Sequence, residues 1–217
     1  MVSGAVPSRA DYYRVLADCL PHDTLVVTSL GNASYLWACV RDRPENFYVE
    51  DAMGLALPLA LGLAVTQPRR RVVVVEGDGG LLMHLGALVT VGAVAPRNTT
   101  ILLIQNGVHA SSGGQPLTSQ ALDLADLARA AGLDHAQNIR SADGLRDPLL
   151  EALHGPGPRF LALATEPDVE GVAPPAPLNP FVVKQRFMEA IGAPRYVPLD
   201  FGEGRLVPAP SPPTFTS

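Results

Sequence analysis

An α/β fold, built on a doubly wound parallel sheet flanked by helices, is the architecture that the sequence predicts. Apolar strand patterns alternate with helical patterns along most of the 217 residues, an order typical of parallel sheets whose connections are helices. The clearest strand pattern, residues 71–76 (RVVVVE), contains a continuous run of β-branched side chains, which indicates burial on both faces. The predicted strands are 25–29, 46–49, 71–76, 99–105 and 159–165.

Helical patterns lie before, between and after these strands. The first helix has a capping signal, because Ser8 is followed three residues later by Asp11. In a doubly wound sheet the ligand lies beyond the carboxyl ends of the strands, so function is expected in the loops that follow them. The other predicted helices of this region are 34–41, 55–67, 85–95, 122–131 and 145–154.

The composition changes after residue 165. Residues 166–180 (EPDVEGVAPPAPLNP) are rich in proline, residues 181–191 have an amphipathic helical pattern, and an extended tail is expected after them. The chain is therefore predicted to consist of a domain at 1–165 and a proline-rich C-terminal extension with one helix at 166–217.

Composition argues against several classes of partner. The formal charge of −5 and the lack of a long Lys/Arg tract argue against nucleic acid. The longest uncharged apolar run, 52–65, has 14 residues, fewer than the roughly 20 that span a bilayer, so no membrane anchor is expected. Cys19 and Cys39 are interpreted as buried, reduced thiols, and with no apolar signal core at the start they predict a cytoplasmic protein.

The string EGDGGLL at 76–82 follows the clearest strand and carries the first chemical signal. Gly77, Gly79 and Gly80 allow a backbone that turns several N–H groups into one concavity, which suits diphosphate oxygens. Asp78 among them would repel a phosphate unless a hard cation such as Mg²⁺ lay between the two. A tight strand-to-helix turn with a solvated aspartate is the alternative explanation.

A second loop favours the metal site. Asn106 follows the strand at 99–105 and lies 28 residues after Asp78, with one helix and one strand between them. Adjacent parallel strands joined by a right-handed crossover would bring the two loops side by side. Asn106 offers an amide oxygen and Val108 a backbone carbonyl, both suitable for Mg²⁺. The alternative for Asn106-Gly107 is an ordinary turn dipeptide.

Four ordered strings then resemble the diphosphate-binding domain of thiamine-diphosphate-dependent enzymes. The resemblance is strongest to the β subunit of two-chain sulfopyruvate decarboxylases and to the matching part of phosphonopyruvate decarboxylases. It runs from about residue 8 to 165, and KQRFMEAIG (184–192) is similar to the final helix of that family. The strings are TSLGNAS (28–34), NFYVEDAMGLALPLALGLA (46–64), VVVVEGDGGLLMHLGALVTVGA (72–93) and LIQNGVHASSGGQPLTS (103–119).

The resemblance implies thiamine diphosphate and Mg²⁺ as cofactors, held by the domain at 1–165. It implies three Mg²⁺ ligands, namely Asp78, Asn106 and the carbonyl of Val108. Backbone N–H groups of the glycine loop would bind the diphosphate. The full set of implied cofactor-binding residues is Gly31, Asn32, Asp51, Met53, Gly77, Asp78, Gly79, Gly80, Asn106 and Val108.

Catalysis is expected to involve Met53 and His109. By the resemblance, Met53 is the bulky residue that wedges between the two cofactor rings and holds the cofactor bent, while the Asp51 carbonyl accepts a hydrogen bond from its aminopyrimidine. His109 stands where the family has tyrosine, and it could move protons at neutral pH or be a surface loop residue. Asp51-Ala52, preceded by Glu50, stand where the family usually has Gly-Ser before the wedge, and Glu50 and Asp51 would repel a second anion if they faced the pocket. We therefore expect a small 2-oxo acid that is less charged than sulfopyruvate or phosphonopyruvate.

The family also needs a glutamate from a separate pyrimidine-binding domain, and the sequence has no room for one. We therefore expect a decarboxylase β chain that is active only with a separate α subunit, most simply as α₂β₂. The helix at 55–65 has no polar side chain and should lie in the interface. The alternatives are a carboligase subunit of the acyloin or acetolactate synthase type, or a non-catalytic partner subunit.

Overall fold

The sheet at the centre of the molecule has six parallel strands. The computed structural model describes residues 6–117, 122–167 and 179–193. The six strands are β1 (Leu25–Thr28), β2 (Asn46–Tyr48), β3 (Val72–Gly77), β4 (Thr99–Gln105), β7 (His135–Ile139) and β8 (Arg159–Ala164). They lie in the order β2-β1-β3-β4-β8-β7, and every neighbouring pair is parallel. A separate antiparallel hairpin consists of β5 (Val108–His109) and β6 (Gln115–Pro116).

Helices connect the strands and cover both faces, which confirms the predicted doubly wound α/β fold. They are α1 (Arg9–Cys19), α2 (Asn32–Arg41), α3 (Ala56–Thr66), α4 (Asp78–Met83), α5 (Leu85–Val94), α6 (Leu124–Ala130), α7 (Arg146–His154) and α8 (Pro180–Ala190). The capping box at Ser8 and Asp11 is present, with the Asp11 N–H donating to the Ser8 hydroxyl. None of the helices among the described residues has the length and apolar character needed to cross a bilayer.

Each face of the sheet has its own apolar core. Val72 and Val74 of β3 belong to the cluster formed with α3, α5 and α6, whereas Val73 and Val75 belong to the cluster formed with α1, α2 and α7. Successive side chains of a strand point to opposite faces, so a strand covered on both sides needs apolar residues at every position. This double burial explains why β3 is a continuous valine run.

The helix of the C-terminal extension, α8, packs on the edge of the sheet. Phe187 joins the core beneath α3, and its ring meets Phe47 edge to face at a centroid distance of 5.3 Å. The Arg186 guanidinium donates to Asp42 at 2.8 Å. The remainder of the predicted extension, 168–178 and 194–217, lies outside the described residues.

Three details differ from the sequence prediction. Cys39 is exposed, because the buried positions at the end of α2 are Trp37 and Ala38, and Cys19 is only partly buried, at the last position of α1. The sequence did not predict β7, since this edge strand (HAQNI) has polar side chains at three of its five positions. It did not predict α4 either, because two of its six residues are glycines of poor helix propensity.

Candidate functional site

A cleft of about 340 Å³ opens at the carboxyl ends of β1, β3 and β4. Nine of the eleven residues singled out from the sequence line it. The lining residues are Arg9, Ser29, Leu30, Asn32, Ala33, Met53, Gly77, Asp78, Gly79, Gly80, Ile104, Asn106, Val108, His109, Ala110 and Ser112.

Asp78 and Asn106 stand on neighbouring strand ends, as their spacing predicts. The register pairs Gly77 with Ile104, so the loop after β3 lies beside the loop after β4. Asp78 is only 3% exposed; its Oδ2 accepts the Gly107 N–H at 2.8 Å and its Oδ1 the Gly79 N–H at 3.0 Å. The two loops are therefore joined through one carboxylate.

This donor set has the chemistry that a hard cation would need. Burial raises the pKa of Asp78, and hydrogen bonds from the Gly107 and Gly79 N–H groups oppose that shift by favouring the anion. Asn106 adds an amide oxygen, which accepts the Val108 N–H at 3.1 Å. Among the described residues no group of three or more His, Cys, Asp or Glu side chains could hold a metal. One carboxylate with amide and carbonyl oxygens suits Mg²⁺ bridged to an anion better than a transition metal.

The opposite wall is the start of α2. Its N-cap, Gly31, has φ of 69°, and no side chain caps the helix there. The Ser34 hydroxyl donates to the Ser29 carbonyl at 2.7 Å, which fixes the turn between β1 and α2. A ten-residue helix that begins at the cleft without a capping side chain directs N–H groups and the positive end of its dipole toward an anion.

Gly79 lies at the floor of the cleft, beneath Met53 and His109. A Cβ at Gly79 would lie 3.0 Å from the imidazole carbon Cε1 of His109 and 3.2 Å from the Met53 methyl group. The two side chains that were singled out for catalysis therefore converge above the glycine loop. A side chain at residue 79 would crowd both of them.

Glu76, a polar residue beneath the loop, belongs to no motif that predicts a role for it. It is fully buried at the end of β3, and its Oε1 accepts the Gly77 N–H at 3.0 Å. Burial raises the pKa of Glu76, while the Ser29 hydroxyl and nearby backbone N–H groups, including those of Ala56 and Leu57, oppose the shift. The sequence feature that could have indicated Glu76 is a carboxylate at the end of an otherwise apolar strand.

Two of the predicted residues, Gly31 and Asp51, are not among those that line the cleft. Asp51 is exposed and has φ of 50°, a left-handed conformation that is uncommon for residues other than glycine. In addition, Arg9 lines the cleft although the sequence analysis did not single it out. The sequence feature that could have indicated Arg9 is a cation in the first turn of a helix, where the helix dipole disfavours positive charge.

Comparison with known proteins gives a consistent family. Residues 30–163 match the model of the thiamine pyrophosphate enzyme C-terminal TPP-binding domain. A phosphonopyruvate decarboxylase of Streptomyces viridochromogenes is 42% identical over 194 residues, 88% of this chain and 48% of that protein. The β subunit of sulfopyruvate decarboxylase from Methanocaldococcus jannaschii is 32% identical over 186 residues, 85% of this chain and 97% of that subunit.

The chain thus spans about half the length of the phosphonopyruvate decarboxylases that it matches. A solved structure of a thiamin diphosphate-dependent enzyme from Mycobacterium smegmatis superposes with a TM-score of 0.64 at 25% identity, covering 73% of this chain and 32% of that one. Acetolactate synthases also match, but more distantly.

Proposed function

The chain belongs to the family of thiamine pyrophosphate enzymes, as a C-terminal TPP-binding domain, and from this premise we propose that it is the β-type subunit of a two-chain 2-oxo acid decarboxylase. The observation that carries the proposal is the buried Asp78 carboxylate, which lies beside Asn106 at the carboxyl ends of adjacent strands. The likeness to sulfopyruvate decarboxylase β subunits supports the two-chain arrangement, since that name implies a partner α subunit.

In this proposal Asp78, Asn106 and the Val108 carbonyl hold Mg²⁺. The N–H groups of the glycine loop and of the α2 N-terminus bind the diphosphate, with Gly31 and Asn32 on the α2 side. The cleft fits such a ligand because it combines a glycine floor, a hard-oxygen donor set and an uncapped helix start. When bound, thiamine diphosphate supplies the electron sink for loss of CO₂ from a 2-oxo acid.

Met53 and His109 act above this anchor. Met53 supports the cofactor rings and excludes water, while the Asp51 carbonyl orients the aminopyrimidine. Their segment carries the left-handed Asp51, and backbone strain of this kind tends to cluster at functional sites. His109 holds or releases a proton at an imidazole nitrogen, a role supported by its position beside Met53 over Gly79.

In this proposal a separate α subunit supplies the glutamate that the cofactor's pyrimidine needs, and an α₂β₂ complex is the simplest assembly. An exposed apolar surface on α3 and α5 supports this proposed assembly. Leu59 is 37% exposed and Val89 57% exposed, whereas Leu57 on the inner face of α3 is in the core. The exposed apolar side chains on or beside the two helices are Leu55, Leu59, Val65, Met83, Val89 and Val94.

We further propose that the substrate is a small 2-oxo acid with less negative charge than sulfopyruvate or phosphonopyruvate. Glu50 and Asp51 do not line the cleft in this chain, but they lie two or three residues before Met53, which does; if they face the pocket of the assembled enzyme, their charges repel a second anionic group. Residues 1–165 form the cofactor-binding domain and 166–217 an extension. The free thiols Cys19 and Cys39 are consistent with a location in the cytoplasm.

A carboligase subunit is the less favoured candidate, because the acetolactate synthases are more distant relatives. A non-catalytic subunit would have no need of the oxygen ligands around Asp78. Product analysis of the assembled complex with a 2-oxo acid, with and without an added aldehyde, distinguishes these outcomes. An aldehyde product with release of CO₂ supports the decarboxylase.

The cofactor site is tested with Asp78→Ala in the complex purified with its partner chain. Calorimetry should detect no Mg²⁺-dependent binding of thiamine diphosphate, because the diphosphate loses its bridging cation, while the complex stays assembled. Asp134→Ala, which removes an exposed carboxylate elsewhere, is the matched control and should bind as the parent does. Equal affinity in the Asp78 variant and the parent would contradict the site.

A further inference from the structure

Arg9 is a buried cation that has no counter-charge among the residues that the structure describes. The residue is 6% exposed, and its Nε has no hydrogen-bond partner. None of the ion pairs found among the described residues involves Arg9. A buried guanidinium without an anion costs free energy, since it loses hydration and gains nothing in return.

The position of Arg9 within α1 adds to this cost. It is the first residue of the helix, directly after the N-cap Ser8, where the helix dipole repels positive charge. The first turn has its own acidic residue, Asp11, but that carboxylate is engaged by Ser8 and by the Arg14 guanidinium. The stability of α1 therefore gives no reason for an arginine at this position.

The cleft gives a reason for an arginine at this position. The Arg9 side chain lines the same cavity as Asp78, Asn106 and the start of α2 at Asn32. Asp78 is the only carboxylate that lines this cavity among the described residues. A divalent cation does not cancel the charge of both Asp78 and a diphosphate, so the loaded cleft needs further positive charge. Guanidinium groups bind phosphate oxygens with charge-assisted, often bidentate, hydrogen bonds.

We propose that Arg9, as a cation that lines the cleft, binds the cofactor's diphosphate directly. This inference rests on the proposed function, because it takes the cleft to be the diphosphate site. It assigns an affinity role to the first turn of α1, a segment that precedes the four family-like strings in the sequence.

The test is Arg9→Met in the assembled complex, since methionine keeps an unbranched apolar stem without the charge. Dissociation constants are measured by calorimetry for thiamine diphosphate with Mg²⁺ and for inorganic diphosphate with Mg²⁺. Both should rise by about ten- to a hundred-fold, the loss expected for a hydrogen bond between charged groups. Arg9→Lys should lose less, and Arg14→Met, an exposed arginine on the same helix, should change neither constant.

The unfolding temperature of the cofactor-free complex separates this role from a structural one. Removal of an unpaired buried charge should leave that temperature unchanged or raise it, while ligand affinity falls. A lower unfolding temperature in Arg9→Met would assign the residue to the fold and overturn the inference. Unchanged binding of inorganic diphosphate would overturn it too, whatever happens to substrate KM. If the parent complex itself binds neither ligand, the proposed function fails instead.

Discussion

Replacement of Gly80 by alanine tests the packing between the glycine loop and the carboxylate beneath it. A Cβ at residue 80 would lie 3.0 Å from the Glu76 Cδ and closer still to its Oε1, and 3.4 Å from the Gly54 backbone nitrogen. A side chain on the surface would swing away. Glu76 cannot do so cheaply, because it is fully buried and its Oε1 accepts the Gly77 N–H at 3.0 Å.

The magnitude follows from two opposing effects. Overpacking of a buried site costs about 1–3 kcal/mol. An alanine in place of a helical glycine returns up to about 1 kcal/mol, because the unfolded chain loses freedom. We expect Gly80→Ala to lower the free energy of unfolding by about 1–2 kcal/mol, read from chemical denaturation of the cofactor-free protein.

Two further variants make the measurement specific. At Gly62, in α3, no atom lies within 4 Å of an added Cβ, so Gly62→Ala should keep or raise stability. Glu76→Asp shortens the acid by one methylene, so it should cost less in the Gly80→Ala background than alone. The expected coupling between the two positions is about 0.5–2 kcal/mol. If Gly80→Ala is as stable as Gly62→Ala, or if the two substitutions simply add, the steric argument is wrong.

Two other predictions concern the edges of the domain. Partial burial raises the pKa of Asp42, but hydrogen bonds from Arg186 and Tyr48 outweigh this effect and hold the pKa below its ordinary value. The parent should therefore be more stable than Asp42→Asn at neutral pH. The difference should be no more than about 1 kcal/mol, because the Asp42–Arg186 pair is partly exposed. That advantage should disappear in denaturation curves as the pH falls below about 4, through the folded-state pKa of the acid; a pH-independent difference would refute it. The substitution Leu59→Asp, on the exposed face of α3, should dissociate the complex, which light scattering would show as a lower mass. The circular dichroism spectrum of the chain itself should not change. If the complex stays intact, α3 is not in the interface.

The strands that position the site could be predicted from the sequence because they are buried on both faces. Burial on both faces requires continuous apolar runs. Such runs predict β3 and β4 with boundaries within one residue of those in the structure. The strand ends then located Asp78 and Asn106 correctly beside each other. The edge strand β7 lacks this requirement on its outer positions, so its pattern is too polar to stand out.

The parts of the site that escaped prediction depend on tertiary contacts. Arg9 lies far from the glycine loop in the sequence, and only the packing of α1 against the sheet brings it to the cleft. The role of Glu76 depends on the closeness of Gly80 and of the backbone before α3, which no spacing in the chain encodes. Local patterns report which face a residue occupies, not which distant group it meets there.

The bond between the Asp78 carboxylate and the Gly107 N–H has a consequence for the thermodynamics of ligand binding. Because it ties the loop after β3 to the loop after β4, the conformational entropy of ordering the two loops is lost when the domain folds. If a cation binds between them as proposed, it would meet oxygens already in place, and little of its binding free energy would be lost to loop ordering. Loops tied together in this way would also hold the oxygens of the proposed site at one spacing, and a fixed spacing favours cations of one radius.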